Sequence, residues 1–157
     1  MREPAIPFDW SNSGRYSDSM SEGFAVDSTR DRLADIDQEI PEVRLLVVFG
    51  SVAAGRARAH SDIDVAVLCD GSADLDAIFV ALAPRFETSR LDLVDLKRAG
   101  PLLVFQVARA GMLLFEREPG EFRQFQSLAS RRYADTKKLR DAQRRAIQVF
   151  LEREYCA

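Results

Sequence analysis

A chain of 157 residues, 46% hydrophobic and 30% charged, with a formal net charge of -3, reads as one globular domain able to bury a core without staples. That charge gives no global basic field to recruit nucleic acid, so any such contact would need a local patch. No apolar run is long enough to span a membrane, the N-terminus lacks a signal-like apolar core, and Cys69 and Cys156 lie far apart without CxxC spacing; a cytoplasmic protein is expected.

Residues 1–27 are rich in Ser, Gly, Asp and Pro and show no sustained period, which predicts a disordered or loosely docked leader. Residues 28–118 carry the patterned domain, and 119–157 its C-terminal helical extension. Ser28, with Asp31 three residues on, has the form of a helix cap. Leu33, Ile36 and Ile40 give a helix over 29–40 one apolar stripe, and Pro41 stops it. Leu45 to Phe49 is a continuous apolar run, expected as a buried strand. After the Gly50-Ser51 turn, Val52 to Ala54 form a short helix that Gly55 ends, and Arg56, Arg58 and His60 fall in the following loop. Ser61 to Leu68 is the second strand, with Asp62, Asp64 and Ala66 on one face.

Ser72 is expected to cap a helix with the stripe Leu75, Ile78, Phe79 and Leu82, ended by Pro84. Asp74 and Asp76 read as acids that complement its dipole. Leu91 to Leu96 is the third strand. Pro101 opens a helix that Gly111 closes, and Met112 to Phe115 is the fourth strand. From Glu121 to about Leu151 the pattern is helical, and Arg131, Arg132, Lys137, Lys138, Arg140, Arg144 and Arg145 make it the basic end of the molecule. The fold class is therefore α/β (α+β), a small mixed sheet of about four strands flanked by helices, with a C-terminal helix.

The chemistry gathers at residues 47–68. Asp62 and Asp64, two apart, leave the same face of a strand and repel unless something positive lies between them. A divalent cation held by oxygen ligands satisfies both. Gly50-Ser51, where strand hands over to helix, offers N–H groups and a hydroxyl suited to phosphate, and Arg56 and Arg58 can serve a triphosphate. Metal carboxylates beside a phosphate cradle point to phosphoryl or nucleotidyl transfer. A third acid is offered by Asp92 or Asp95; a spacing of three puts them on opposite faces, and periodicity alone does not choose.

Gly50-Ser51, three residues, Gly55, six residues, then Asp62-Ile63-Asp64 resembles the nucleotidyltransferase signature of the DNA polymerase beta superfamily. With the later run Leu91-Asp92-Leu93-Val94-Asp95-Leu96, the chain is most similar over residues 40–116 to the minimal nucleotidyltransferases (MNT), antitoxin halves of HEPN/MNT toxin–antitoxin pairs. The resemblance implies a nucleotidyltransferase fold and makes Asp62, Asp64 and Asp92 the catalytic metal ligands, Asp92 also assisting as base. It implies Gly50, Ser51, Gly55, Arg56 and Arg58 at the nucleotide, Mg2+ (two ions) as cofactor, and ATP as substrate. It implies a HEPN ribonuclease toxin as partner in a hetero-oligomer, its tyrosine receiving AMP. Many relatives carry a long polar or basic side chain before Gly55, where this chain has Ala54. Two other readings stand beside it: an antitoxin that acts by binding alone through its C-terminal helical region, and a nucleotidyltransferase acting on tRNA or a small molecule.

Overall fold

The computed structural model describes residues 26–57 and 61–155, with side chains to residue 152. A four-stranded mixed sheet is its centre, in the order β3-β2-β1-β4. The strands are β1 (Val43–Phe49), β2 (Ile63–Cys69), β3 (Leu91–Asp95) and β4 (Met112–Glu116). Strand β1 runs antiparallel to both β2 and β4, whereas β2 and β3 are parallel. The two central strands are covered on both faces, which is why their sequences, Val-Arg-Leu-Leu-Val-Val-Phe and Ile-Asp-Val-Ala-Val-Leu-Cys, are almost unbroken apolar runs.

On one face Leu46, Val48, Ile63, Val65 and Val67 pack against helices α1 (Val26–Leu33), α2 (Ile36–Glu39) and α4 (Leu75–Phe86). On the other, Leu45, Val47, Ala66 and Leu96 meet α5 (Pro101–Ala110) and α6 (Glu121–Asp135). The single turn α3 (Gly50–Ala53) joins β1 to the loop before β2, and α7 (Lys137–Tyr155) follows α6. Arg44 on β1 pins the start of α6: its Nε donates to the buried Glu121 carboxylate at 2.7 Å. Parallel β2 and β3 are linked through α4, as a parallel pair requires.

Several local expectations are corrected. The helix over 29–40 is two, α1 and α2, parted by a turn at Ala34-Asp35. Helix α1 begins at Val26, so Ser28 lies inside it and accepts from Arg32 Nη2 instead of capping. Of the expected leader, residues 1–25 lie outside the described residues. Asp74, not Ser72, caps α4, its carboxylate accepting from the Ala77 N–H at 3.1 Å. Pro84 does not end α4, which continues to Phe86 and closes on Glu87 in the left-handed region at φ 55°. The carbonyl that Pro84 cannot serve belongs to Val80, an exposed residue open to water. The C-terminal helix is two helices, broken at Thr136, whose hydroxyl donates to the carbonyls of Arg132 and Tyr133.

Candidate active site

The carboxyl end of β1 and the amino ends of β2 and β3 meet at one corner of the sheet. Phe49 is the register partner of Asp64 across the antiparallel pair, and Asp64 is the register partner of Asp92 across the parallel pair. Register partners share a face, here the one that α5 and α6 cover further along. Asp62 stands just before β2 instead of inside it; the Ile63 N–H that follows donates to the Arg90 carbonyl at 2.9 Å and holds this segment to the start of β3.

Asp64 is half-buried, while Asp62 and Asp92 are exposed. Burial, then the neighbouring Asp92 and then Asp62, push the Asp64 carboxyl above the ordinary carboxylate range. Asp92 and Asp62 are thus near enough for their charges to act on Asp64. Among the described residues no three His, Cys, Asp or Glu side chains are already gathered as a ligand set, so this is a corner of neighbouring acids, not a closed cage. Their donors are all carboxylate oxygens, and a hard divalent cation would offset both the burial and the neighbouring charges that raise Asp64; the residues fit magnesium.

Gly50 makes the corner possible. It sits at φ +70°, and a Cβ placed on it would lie 2.1 Å from Asp64 Oδ2. Only a glycine gives both the backbone turn and the room for that carboxylate. The sequence reading placed Gly50 at phosphate and had no signal for this contact, because it joins residues fourteen apart through strand pairing. Ser51 is half-buried on the first turn of α3. Gly55 has φ +64° with open space around it, and the Arg56 N–H donates to the Ser51 carbonyl at 2.8 Å. That bond folds the exposed Arg56 back over the same turn. Ala54 is exposed and brings no polar group there. Arg58 and His60 lie outside the described residues.

Asp95 belongs elsewhere. It is buried on the opposite face, and its Oδ1 accepts from the Lys97 N–H at 2.8 Å. Burial first, then the Asp95 charge, raise the Cys69 thiol to about 11. Among the described residues, two cavities lie away from the acids. One, of about 560 Å³, is lined by Ser72 to Asp76 and Arg98; the other, of about 270 Å³, lies between α6 and the sheet.

The polymerase beta nucleotidyltransferase family matches residues 31–120. The protein adenylyltransferase MntA of Aphanizomenon flos-aquae is 30% identical over 127 residues, spanning 73% of this chain and 85% of its own length. A protein of the same name from Shewanella oneidensis is 38% identical over 79 residues, 48% of this chain and 56% of its own. Among solved structures, a toxin–antitoxin crystal structure with AMP-PNP holds a chain 27% identical, with a TM-score of 0.64, over 76% of this chain and 98% of that one. A MntA–HepT toxin–antitoxin structure holds one 25% identical, TM-score 0.59, over 76% and 97%.

Proposed function

Because the chain belongs to the polymerase beta nucleotidyltransferase family, we propose that it is the antitoxin of a toxin–antitoxin pair and transfers AMP from ATP to a tyrosine of a HEPN ribonuclease toxin. The names of its relatives, protein adenylyltransferases, and the toxin–antitoxin complexes among its structural neighbours support this reading. The observation that carries it is the pairing of Asp64 with Asp92 beside the Gly50 turn.

In the proposed reaction the tyrosine oxygen attacks the α-phosphorus, a new P–O bond forms, and the bond to pyrophosphate breaks. Asp92, exposed at the edge of the corner, takes the phenolic proton. Gly50 and Ser51 offer backbone N–H groups and a hydroxyl to the phosphates, with Gly55 giving the turn its freedom and Arg56 adding charge; Arg58 is assigned to the same task from its position in sequence. Asp62, Asp64 and Asp92 would hold magnesium, which supplies Lewis-acid neutralisation of charge developing on the phosphate. Among the described residues Asp62 and Asp92 are exposed, which suits an acceptor as large as a folded protein.

We place the reaction in the cytoplasm, where ATP is available. Among the described residues no helix is long and apolar enough to cross a membrane. The test is incubation of the purified chain with adenine-labelled ATP, magnesium and the HEPN ribonuclease encoded beside it. Label on a toxin tyrosine, with parallel loss of ribonuclease activity, is the expected result. An unlabelled toxin that is nonetheless inhibited would replace transfer with neutralisation by binding alone.

A further inference from the structure

Among the described side chains, helix α7 has no buried face beyond its first turns. Those turns are tied down by Arg140, whose guanidinium carbon lies 3.5 Å from the centre of the Tyr133 ring and whose Nη1 donates to the Tyr133 carbonyl. Tyr133 in turn stacks on Phe105 of α5 at 4.0 Å. From Ala142 to Glu152 every residue is exposed. At about 100° per residue, Leu139, Ala142, Ala146, Ile147, Val149 and Phe150 fall on one side of the helix, with Gln143 the one polar residue among them. Arg144, Arg145, Gln148 and Glu152 fall on the other. Leu139, Ile147 and Phe150 are 61%, 60% and 62% exposed. A helix of this kind draws its stability from covering its apolar face, not from its own hydrogen bonds.

Charge selects the occupant. Residues 137–152 hold five basic and two acidic side chains in a chain that is net acidic. A protein groove with an apolar floor and an acidic rim satisfies both faces at once.

We propose that α7 docks, apolar face down, in an acid-rimmed groove on the protein that accepts AMP. This rests on the toxin–antitoxin reading for the identity of that protein. Docking through α7 would hold the acceptor against the chain while its tyrosine reaches the acid corner.

The experiment uses the full-length chain and the HEPN ribonuclease as probe, measuring affinity by calorimetry and AMP transfer separately. Ile147→Asp with Phe150→Asp changes two exposed positions, and circular dichroism and melting check the fold. Affinity is expected to fall about 100-fold, as two central apolar anchors would give, with the transfer rate at saturating toxin retained. Arg144→Glu with Arg145→Glu is expected to lower affinity about 10-fold and flatten its dependence on salt. Unchanged affinity in both variants overturns the docking, whatever the transfer assay shows. Toxin bound through α7 but never labelled would overturn the transfer reading and leave the docking standing. A dimer, or binding to phosphatidylserine vesicles, that the apolar variant abolishes while toxin affinity stays unchanged would assign α7 to that other occupant and overturn the proposal.

Discussion

A Cβ on Gly50 would stand 2.1 Å from Oδ2 of Asp64. The strand-end turn and the carboxylate at the centre of the acid corner are therefore packed as one unit. Gly50→Ala pushes that carboxylate aside and strains a backbone at φ +70°, at a stability cost of about 1–2 kcal/mol. Misplacing a reacting group by about 1 Å costs on the order of 100-fold in rate. Melting and transfer measured on the same sample should show a modest loss of the first and a near-complete loss of the second. Normal transfer by the alanine variant would show that Asp64 does not need its observed position.

Asp64 should weaken the free protein that it equips for catalysis. Burial, Asp92 and Asp62 raise its carboxyl, so across the interval between the ordinary and the raised value the native chain holds a proton that the unfolded chain has released. Its contribution to stability falls as pH rises through that interval and stays unfavourable above it. Asp64→Asn is expected to melt higher than the wild type at neutral pH, the difference closing in acid below both values. Magnesium should raise the melting temperature of the wild type and leave that of the variant unchanged. A variant that melts lower at neutral pH would contradict the like-charge account.

The two acids of β3 should separate cleanly. Asp95→Ala strips a buried partner from the Lys97 N–H, at a cost of about 1–3 kcal/mol, and keeps transfer. Asp92→Ala loses transfer with little change in melting, because Asp92 is exposed. Parallel melting curves and transfer rates decide the matter. Exchanged phenotypes would reverse the roles.

Glu121 tests how α6 is held to the sheet. Its side chain is nearly buried and accepts from Arg44 Nε at 2.7 Å, so Glu121→Ala leaves a half-buried guanidinium with only its longer ion pair to Asp70 at 3.6 Å among the described residues. A loss of about 2 kcal/mol is expected, with faster amide exchange in α6. Exchange confined to α7 would point to a different anchor.

Much of the sheet could be read in advance because β1 and β2 are covered on both faces and show it as apolar runs. The turn at Gly50 was equally legible. Periodicity alone does not choose between Asp92 and Asp95, which it places on opposite faces; the resemblance implies Asp92, and the parallel register pairs Asp92 with Asp64. Caps misled for a local reason: Ser28 and Ser72 have capping chemistry, yet Ser28 lies inside α1 and the α4 start is capped by the Asp74 carboxylate. The break at Thr136 carries neither glycine nor proline, and its signal is a hydroxyl turned back onto the preceding carbonyls.

The most direct measurement is a single-turnover assay of AMP transfer from ATP to the HEPN toxin by wild type and Asp64→Asn, each shown to be folded and toxin-bound. Labelling by the wild type, and a rate lower by on the order of 1000-fold in the variant, is the predicted result. Equal labelling by the two proteins would contradict the assignment of the acid corner as the place where the phosphorus is attacked.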